Sequence, residues 1–182
     1  HDLLFAGTVE GLWMSEDAGI TWRLGTQKQL VINSIVSLPG GIVLLGTDGA
    51  GVVRSIDGGR SWVASNAGFS ERFVSRMVFD RVGQRVLAGI WGDRHHGGVF
   101  AASSARGPWY RFGTGLEGRE VLSLALIGNE VIAGTDDGMF LSSGSTGAWQ
   151  RLTTVVDGAD LHPRVTDVIA LPPRKVLAAT SK

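Results

Sequence analysis

The chain has no cysteine, one tyrosine and five prolines among its 182 residues. Without cysteine, no disulfide holds the fold together, and the redox compartment cannot be inferred. The formal net charge is zero, which gives no electrostatic reason to expect a nucleic-acid partner or an attraction to charged membrane surfaces. No apolar run reaches the roughly 18 residues that a membrane span requires. We therefore expect neither nucleic-acid binding nor membrane insertion.

What the chain does contain is glycine, with 27 residues, and an apolar fraction of 43%, which is typical of a globular protein. No segment of useful length shows helical periodicity. A unit that runs from a glycine to a tryptophan eleven positions later occurs four times: GLWMSEDAGITW (11–22), GVVRSIDGGRSW (51–62), GVFAASSARGPW (98–109) and GMFLSSGSTGAW (138–149). Repeats with a period of roughly 40–50 residues are typical of stacked units such as propeller blades.

Each copy indicates a short strand, a tight turn and the start of another strand at the tryptophan. One more strand-like element precedes each copy, and another lies before it in the second, third and fourth copies, as in INSIVSL (32–38) followed by VLLGTD (43–48). The sequence therefore predicts an all-β fold, a β-propeller of four-stranded antiparallel blades with about four to five blades present. We expect an open arc of a larger propeller, with a partial blade at 1–27, blades at 28–68, 69–114 and 115–155, and a partial blade at 156–182.

Two of the turns resemble a known repeat. SEDAGITW (15–22) and SIDGGRSW (55–62) match the Asp-box, or BNR repeat, which reads Ser, any, Asp, any, Gly, any, Ser/Thr, Trp. That repeat occurs in sialidases, sortilin-type receptors, xyloglucanases and photosystem II assembly-factor-like propellers. The third and fourth copies depart from it at Ala102, Ser104 and Gly144, so their turns should contain fewer hydrogen bonds. The resemblance implies a structural role for Ser15, Asp17, Gly19, Thr21, Trp22, Ser55, Asp57, Gly59, Ser61 and Trp62.

The four repeat tryptophans, Trp22, Trp62, Trp109 and Trp149, are expected in equivalent, largely buried sites, because an indole has enough apolar area to anchor one sheet against the next. Residues 152–165 form the longest connection and are expected to be a loop. Strand direction alternates within a blade, so the loops after the second and fourth strands lie at the end opposite the repeat turns. Binding is expected at that end, because function concentrates in loops of variable length.

One connection at that end is longer than its equivalents and holds the ligand-binding candidates Trp91, Asp93, Arg94, His95 and His96. An aromatic face can stack on a sugar or a peptide while the polar groups orient it. The alternative is an elongated hairpin with solvated charges. Adjacent histidines in extended chain point to opposite sides, and no third ligand stands at a recognised spacing. We therefore expect no metal and no cofactor.

Three acidic residues, Asp48, Asp136 and Asp137, lie on equivalent loops and are further ligand-binding candidates. They either converge near the central channel of the propeller, as the acid and base of a glycosidase would, or simply form hairpin turns. Arg72, Arg119 and Arg164 form a predicted basic rim, and sialidases clamp a carboxylate with three arginines. The Arg-Ile-Pro motif is absent, however, and Tyr110 directly follows a repeat tryptophan, so it is most simply a strand residue. No catalytic residue is predicted.

Three functions fit this sequence. The first is a non-catalytic propeller that acts as a ligand-binding or protein-interaction scaffold, with a carbohydrate or a protein or peptide as its ligand. The alternatives are a fragment of a glycoside hydrolase of the sialidase or xyloglucanase type, completed outside this segment, and a receptor ectodomain that resembles sortilin. The chain begins with His1, which predicts a fragment or processed form whose cut edges favour self-association. The compartment is not fixed, and a secreted or periplasmic location is compatible.

Overall fold

A computed structural model of the chain describes residues 3–26, 29–69, 73–92, 95–143, 147–156 and 159–181, and it contains only β-strands as regular elements. No helix in this part of the chain is long and apolar enough to cross a membrane. The strands are β1 Leu4–Thr8, β2 Gly11–Ser15, β3 Arg23–Leu24, β4 Ile32–Leu38, β5 Ile42–Thr47, β6 Val52–Ser55, β7 Val63–Ala64, β8 Val74–Asp80, β9 Arg85–Ile90, β10 Gly98–Ala102, β11 Tyr110–Arg111, β12 Val121–Ile127, β13 Glu130–Thr135, β14 Gly138–Ser143, β15 Trp149–Leu152, β16 Val155–Val156, β17 Ala159–Asp160, β18 Arg164–Leu171 and β19 Lys175–Ser181.

The strands form antiparallel sheets in which each strand pairs with its neighbour in sequence. Sheet 1 contains β1–β3, sheet 2 contains β4–β7, sheet 3 contains β8–β11, sheet 4 contains β12–β15 and sheet 5 contains β18–β19. The prediction of an all-β fold built from repeated sheets of up to four strands is therefore confirmed. The prediction of a simple loop at 152–165 is wrong, because β16 and β17 pair there as a short hairpin that satisfies backbone groups of this connection.

The core lies between successive sheets, with one apolar cluster for each of the four interfaces. The second strand of each sheet shows why, because its side chains alternate between the two faces. In β5, Val43 and Leu45 belong to the cluster shared with sheet 1, whereas Leu44 belongs to the cluster shared with sheet 3. Sheet 2 therefore has a face that packs on the preceding sheet, here called the incoming face, and an outgoing face that packs on the following one.

The repeat tryptophans connect each sheet to the one before it. In three interfaces the indole Nε1 donates a hydrogen bond to the carbonyl that lies three residues after the tryptophan of the preceding sheet. The bonds run from Trp62 to Gly25 at 2.9 Å, from Trp109 to Ser65 at 2.8 Å and from Trp149 to Phe112 at 2.9 Å. One donor thus serves the same purpose in these three interfaces, which explains the constant position of tryptophan in the repeat.

Trp22 is the exception, and the prediction of four equivalent buried sites is wrong for it. Trp109 and Trp149 are buried and Trp62 is half-buried, whereas 40% of Trp22 is exposed. The reason is that Trp22 belongs to sheet 1, and the part of the chain that the structure describes places no sheet against its incoming face. Its Nε1 donates instead to the carbonyl of Gly19 in its own turn, at 3.0 Å.

The backbone after each tryptophan approaches the next repeat closely at a glycine. Gly68 has φ +92°, and a Cβ added there would lie 1.9 Å from the carbonyl oxygen of Trp109. Gly115 holds the equivalent place in the next repeat, and a Cβ added there would lie 2.6 Å from the carbonyl oxygen of Trp149. Only glycine fits these positions, because both the left-handed conformation and the contact exclude a side chain. The loops after β7 and β11 are therefore fixed against the following sheet.

One interface contains a poorly satisfied charge. The Nε and Nη1 atoms of Arg54 in β6 are buried without a hydrogen-bond partner among the residues that the structure describes. The corresponding positions in β2 and β14 are occupied by Met14 and Leu141. A buried polar group without a partner costs stability, and a cation costs more than a neutral group. Arg54 therefore weakens the contact between sheets 2 and 3.

We predict that Arg54→Leu raises the free energy of unfolding by about 1 kcal/mol, because it removes a cation that is desolvated without compensation. Urea unfolding monitored by circular dichroism measures this change. Arg81→Leu is the control, because Arg81 is exposed in the turn after β8, and it should change the value by less than about 0.5 kcal/mol. A destabilised Arg54→Leu protein would show that the guanidinium contributes to the interface.

Candidate ligand-binding site

The first strands of sheets 2 to 5 all carry a β-bulge at the same place in the repeat. The register with the second strand shifts between Ile32 and Ser34, between Val74 and Arg76, between Val121 and Ser123, and between Val165 and Asp167. A bulge leaves one residue unpaired in the ladder and re-aims the side chains beside it. The unpaired residues are Asn33, Ser75, Leu122 and Thr166.

Two of these bulge residues bind the next sheet. The Nδ2 of Asn33 donates a hydrogen bond to the carbonyl of Val74 at 3.0 Å. The Oγ of Ser75 donates to the carbonyl of Val121 at 2.7 Å. Each bond joins equivalent points of neighbouring first strands, so the bulges of sheets 2, 3 and 4 are held in register with one another. The polar side chains at the bulges therefore form one continuous surface across several sheets.

That surface forms the floor of a cavity of about 450 Å³ at the end of the stack where the first strands begin. All four bulge residues contribute to it, although they come from four different sheets. The size is within the usual range for a small-molecule site. The lining residues are Asn33, Ser75, Arg76, Trp91, Leu122, Ser123, Arg164, Thr166 and Asp167.

The charges in the cavity are two arginines and one aspartate. Arg76 is exposed and makes no ion pair with any residue in the described ranges. Arg164 approaches Glu120 through Nη1 at 3.4 Å, a long contact at the mouth of the cavity. Asp167 accepts the backbone N–H of Val168 through Oδ1 at 3.0 Å, which holds its carboxylate beside the strand. The described lining therefore has an excess of positive charge.

Trp91 is the one sequence-predicted candidate that lines this cavity. Its backbone N–H donates to the carbonyl of Phe73 at 3.1 Å, and its ring meets the Phe73 ring edge-on, with the centroids 6.0 Å apart. These contacts fix the indole half-buried in the wall. His95 and His96 are exposed and lie outside the lining, and Asp93 and Arg94 lie outside the described residues.

The acidic candidates do not meet in this cavity. Asp48 extends the sheet 2 ladder through its backbone N–H, which donates to Val31, and Asp136 accepts the backbone N–H of Glu120 through Oδ1 at 3.1 Å. Asp137 pairs with Arg119 at 2.8 Å and with Arg151 at 2.7 Å. The hydrogen bond from Arg151, with the charge of Arg119, lowers the pKa of the Asp137 carboxyl.

The hydrogen bonds and ion pairs of these carboxylates are those of hairpin and loop anchors. The predicted basic rim contributes one described arginine to the cavity lining. Arg119 is committed to Asp137, and Arg72 lies outside the described residues, so Arg164 is the member of that group found in the cavity lining. In the part of the chain that the structure describes, no group of three or more acidic or histidine side chains is placed to hold a metal ion.

Sequence reasoning missed the bulge residues because they lie inside strands and not in loops. A signal was nevertheless present. A polar residue follows the first β-branched residue of the strand in three of the four repeats, as Asn33, Ser75 and Thr166. In each case the next residue is also polar, as Ser34, Arg76 and Asp167, and two adjacent polar residues interrupt the regular alternation of a strand. That break is the bulge on which the cavity depends.

The two serine-aspartate turns lie at the opposite end and hold themselves together. Asp17 accepts hydrogen bonds from the Thr21 backbone N–H at 2.8 Å and from the Thr21 hydroxyl at 2.5 Å. Ser15 donates to Asp17 at 2.8 Å and accepts the backbone N–H of Gly19 at 2.8 Å. Ser55, Asp57, Gly59 and Ser61 form the same network.

The carboxylates of Asp17 and Asp57 thus accept backbone amides of their own turns. In the third repeat, Ser104 accepts one backbone N–H, from Arg106 at 3.3 Å, and donates to the Gly107 carbonyl at 2.9 Å. That turn has fewer bonds, as expected, because a hydroxyl offers fewer acceptor sites than a carboxylate. Gly144 lies outside the described residues.

No model of a known protein family matches the chain, and no curated protein matches it either. Solved structures do. The chain is similar to the extracellular domain of BT4673 from B. thetaiotaomicron, with a TM-score of 0.77 and 21% identity over 98% of this chain and 25% of that one. It is similar to YCF48 bound to D1 peptide, with a TM-score of 0.70 and 14% identity over 98% of this chain and 57% of that one.

A third similar structure is an ancestral GH74 enzyme, with a TM-score of 0.71 and 20% identity over 99% of this chain and 28% of that one. The chain thus spans between a quarter and about three fifths of the length of these three proteins. They are propeller-type proteins, so the fold of this chain is that of a β-propeller. At these identities the likeness shows the fold alone.

We predict that the paired variant Asp17→Asn with Asp57→Asn lowers the melting temperature near neutral pH and loses less stability than the wild type on acidification. The hydrogen bonds from Thr21 and Ser15 lower the pKa of Asp17 to about 2, and those from Ser61 and Ser55 lower the pKa of Asp57. A lowered folded-state pKa gives stability that is complete above the unfolded value of 3.8 and is lost as the pH falls toward the folded value.

Melting curves between pH 6 and about pH 2 test this expectation, with Glu10→Gln as the control because Glu10 is exposed outside both turns. The control should follow the wild-type curve. Parallel wild-type and paired-variant curves across the acid range would show that these carboxylates do not contribute to acid sensitivity.

Proposed function

We propose that this chain is a non-catalytic binding propeller of the BNR/Asp-box type, and that its ligand occupies the cavity formed by the strand bulges. One observation carries the proposal: the exposed guanidinium of Arg76 lines the cavity together with the indole of Trp91, and it makes no ion pair with any residue that the structure describes. The serine-aspartate turns at the other end hold the scaffold, and the bulges of four sheets supply the site.

The position of Arg76 within its repeat supports this assignment. Sheets 2 and 4 have a small hydroxyl residue at the equivalent place, Ser34 and Ser123, and both are buried. Ser34 accepts the backbone N–H of Met77 at 2.9 Å and so joins sheet 2 to sheet 3. The exposed guanidinium of Arg76 makes no such bond to any described residue. Within the described part of the chain this charged side chain is therefore available for a ligand.

The number of carboxylates in the described lining favours binding over hydrolysis. A glycosidase of the usual kind requires two carboxyl groups roughly 5–10 Å apart in the cleft. Among the described lining residues Asp167 is the one carboxylate; the carboxylates of Asp136 and Asp137 are used as anchors elsewhere, and Asp48 is exposed outside the lining. The described part of the cavity therefore offers positive charge, hydrogen bonding and an aromatic face, which suit recognition of an anionic ligand.

The ligand is proposed to be an acidic carbohydrate or an acidic peptide. Arginine binds carboxylates through paired charge-assisted hydrogen bonds, and an indole face stacks on sugars and planar groups alike. Similar solved structures include a propeller bound to a peptide and a GH74 enzyme. They support both classes by analogy of fold, and the experiment below distinguishes them.

We predict that the purified chain binds acidic probes on immobilised arrays of oligosaccharides and synthetic peptides, and that Trp91→Ala and Arg76→Gln each weaken binding at least tenfold. Loss of a charge-assisted bond or of an aromatic contact of about 1.4 kcal/mol accounts for a factor of that size. Titration of the best probe by calorimetry gives the affinities. Turnover of a bound oligosaccharide would favour the alternative, a piece of a glycoside hydrolase.

Arg81→Gln is the matched control. It lies on the same sheet as Arg76 and is also exposed, but it follows the far end of β8, roughly 16 Å along the strand. It carries the same charge change, so general electrostatics would affect both variants equally. The proposal is contradicted if Arg81→Gln weakens binding as much as Arg76→Gln, or if neither Arg76→Gln nor Trp91→Ala has an effect.

A further inference from the structure

The two arginines of the cavity differ in their contacts and in their depth. Arg76 makes no ion pair with any described residue, whereas Nη1 of Arg164 contacts Oε2 of Glu120 at 3.4 Å. The bulges show the difference in depth, because Arg76 holds the repeat position of Asp167, which follows Arg164 by three residues. At about 3.3 Å per strand residue, the backbone of Arg164 lies roughly 10 Å nearer the mouth of the cavity than that of Arg76.

The ion pair between Arg164 and Glu120 is loose. Its 3.4 Å is longer than the roughly 2.7–2.9 Å of a good charge-assisted bond. Arg119 and Arg151 do reach that distance, since they contact Asp137 at 2.8 Å and 2.7 Å. The pair consists of one N–H···O contact, and 43% of the Arg164 side chain is exposed, so solvent screens the attraction. Another anion can therefore compete for Arg164.

Glu120 is the fixed partner in this pair. Its backbone N–H donates to Oδ1 of Asp136 at 3.1 Å, and its carbonyl accepts the backbone N–H of Asp136 at 3.2 Å. Glu120 stands outside the cavity lining, whereas Arg164 belongs to it. The carboxylate of Glu120 is thus an internal counterion at the rim, and Arg164 is the side chain that can exchange this partner for a ligand.

We infer that the ligand carries two acidic groups, of which the inner one binds Arg76 and the outer one binds Arg164 in place of Glu120. This inference rests on the proposed function, because it assigns a chemical class to the ligand of that same cavity. A free carboxylate can approach Arg164 through two parallel hydrogen bonds, whereas Glu120 makes one long contact. A ligand with a single acidic group binds at Arg76 and leaves the ion pair intact.

Calorimetric titration with matched probes tests the inference. One pair is a capped peptide with two glutamates three positions apart, which are roughly 10 Å apart in extended chain, and the same peptide with one glutamate changed to glutamine. The other pair is a trisaccharide with a uronic acid at each end and its derivative with one carboxyl methylated. The wild type should bind the diacid of one pair at least about fivefold more tightly than the monoacid. The pair that binds more tightly distinguishes a peptide from a carbohydrate.

Three variants separate the two arginines. Arg164→Gln should abolish the preference for the diacid. Glu120→Gln removes the competing carboxylate, so it should tighten diacid binding by about threefold and leave monoacid binding unchanged. Glu117→Gln is the control, with the same charge change in the same loop. Glu117 is exposed, and its Oε2 accepts the backbone N–H of Gly115 at 2.7 Å, a bond that glutamine can also accept. Melting temperatures verify that all three variants fold.

The outcomes separate this inference from the proposed function. Equal affinities for diacid and monoacid in both pairs would contradict the inference alone, provided that Arg76→Gln still weakens binding. A preference that persists in Arg164→Gln would place the second acidic group elsewhere. Equal tightening in Glu120→Gln and Glu117→Gln would attribute the gain to general electrostatics and also overturn the inference. Absence of binding by every acidic probe would contradict the proposed function and this inference together.

Discussion

The hydrogen bond from the indoles of Trp62, Trp109 and Trp149 to the preceding sheet is the interaction on which the rest of the structure depends. Each sheet has only two to four strands and cannot bury its apolar side chains alone, so stability arises where sheets meet. The indole contributes apolar area to that interface and also fixes its geometry, because Nε1 has one acceptor, three residues beyond the previous tryptophan. The close backbone approach at Gly68 follows from the same contact.

This stacking also explains how a site arises from residues that are far apart in sequence. Asn33, Ser75, Leu122 and Thr166 come from four sheets and line one cavity, because sheets 2 to 5 repeat the bulge at the same place in their first strands. The bulge recurs with different residues in it, so side chains at that position can vary while the repeated scaffold stays the same. Constant residues hold the sheets, and varied residues at the bulges define what the cavity can bind.

The sequence predicted the fold well because the signals for it are local. Strand alternation, the glycine-to-tryptophan spacing and the turn chemistry of Asp17 and Asp57 each act within about a dozen residues, and the structure confirms them. The cavity could not be predicted in the same way. Its floor depends on a register shift inside a strand, and its charge depends on which arginine remains unpaired after the fold has formed.

The exposure of Trp22 is a second feature that the local sequence pattern did not predict. Its repeat position predicts burial, but burial requires a neighbouring sheet, and a local pattern does not specify neighbours. The difference between Trp22 and Trp109 therefore reflects the contact between sheets, since the two residues hold the same place in the repeat but differ in their surroundings.

The most direct measurement compares Trp109→Phe with Trp22→Phe by urea unfolding. Both changes keep an aromatic ring and remove the Nε1 donor, but only the first removes a bond to the preceding sheet and leaves a buried carbonyl, that of Ser65, without its partner. The account predicts that Trp109→Phe lowers the free energy of unfolding by about 1–3 kcal/mol and that Trp22→Phe lowers it by less than about 0.5 kcal/mol. Equal losses for the two variants would contradict the account.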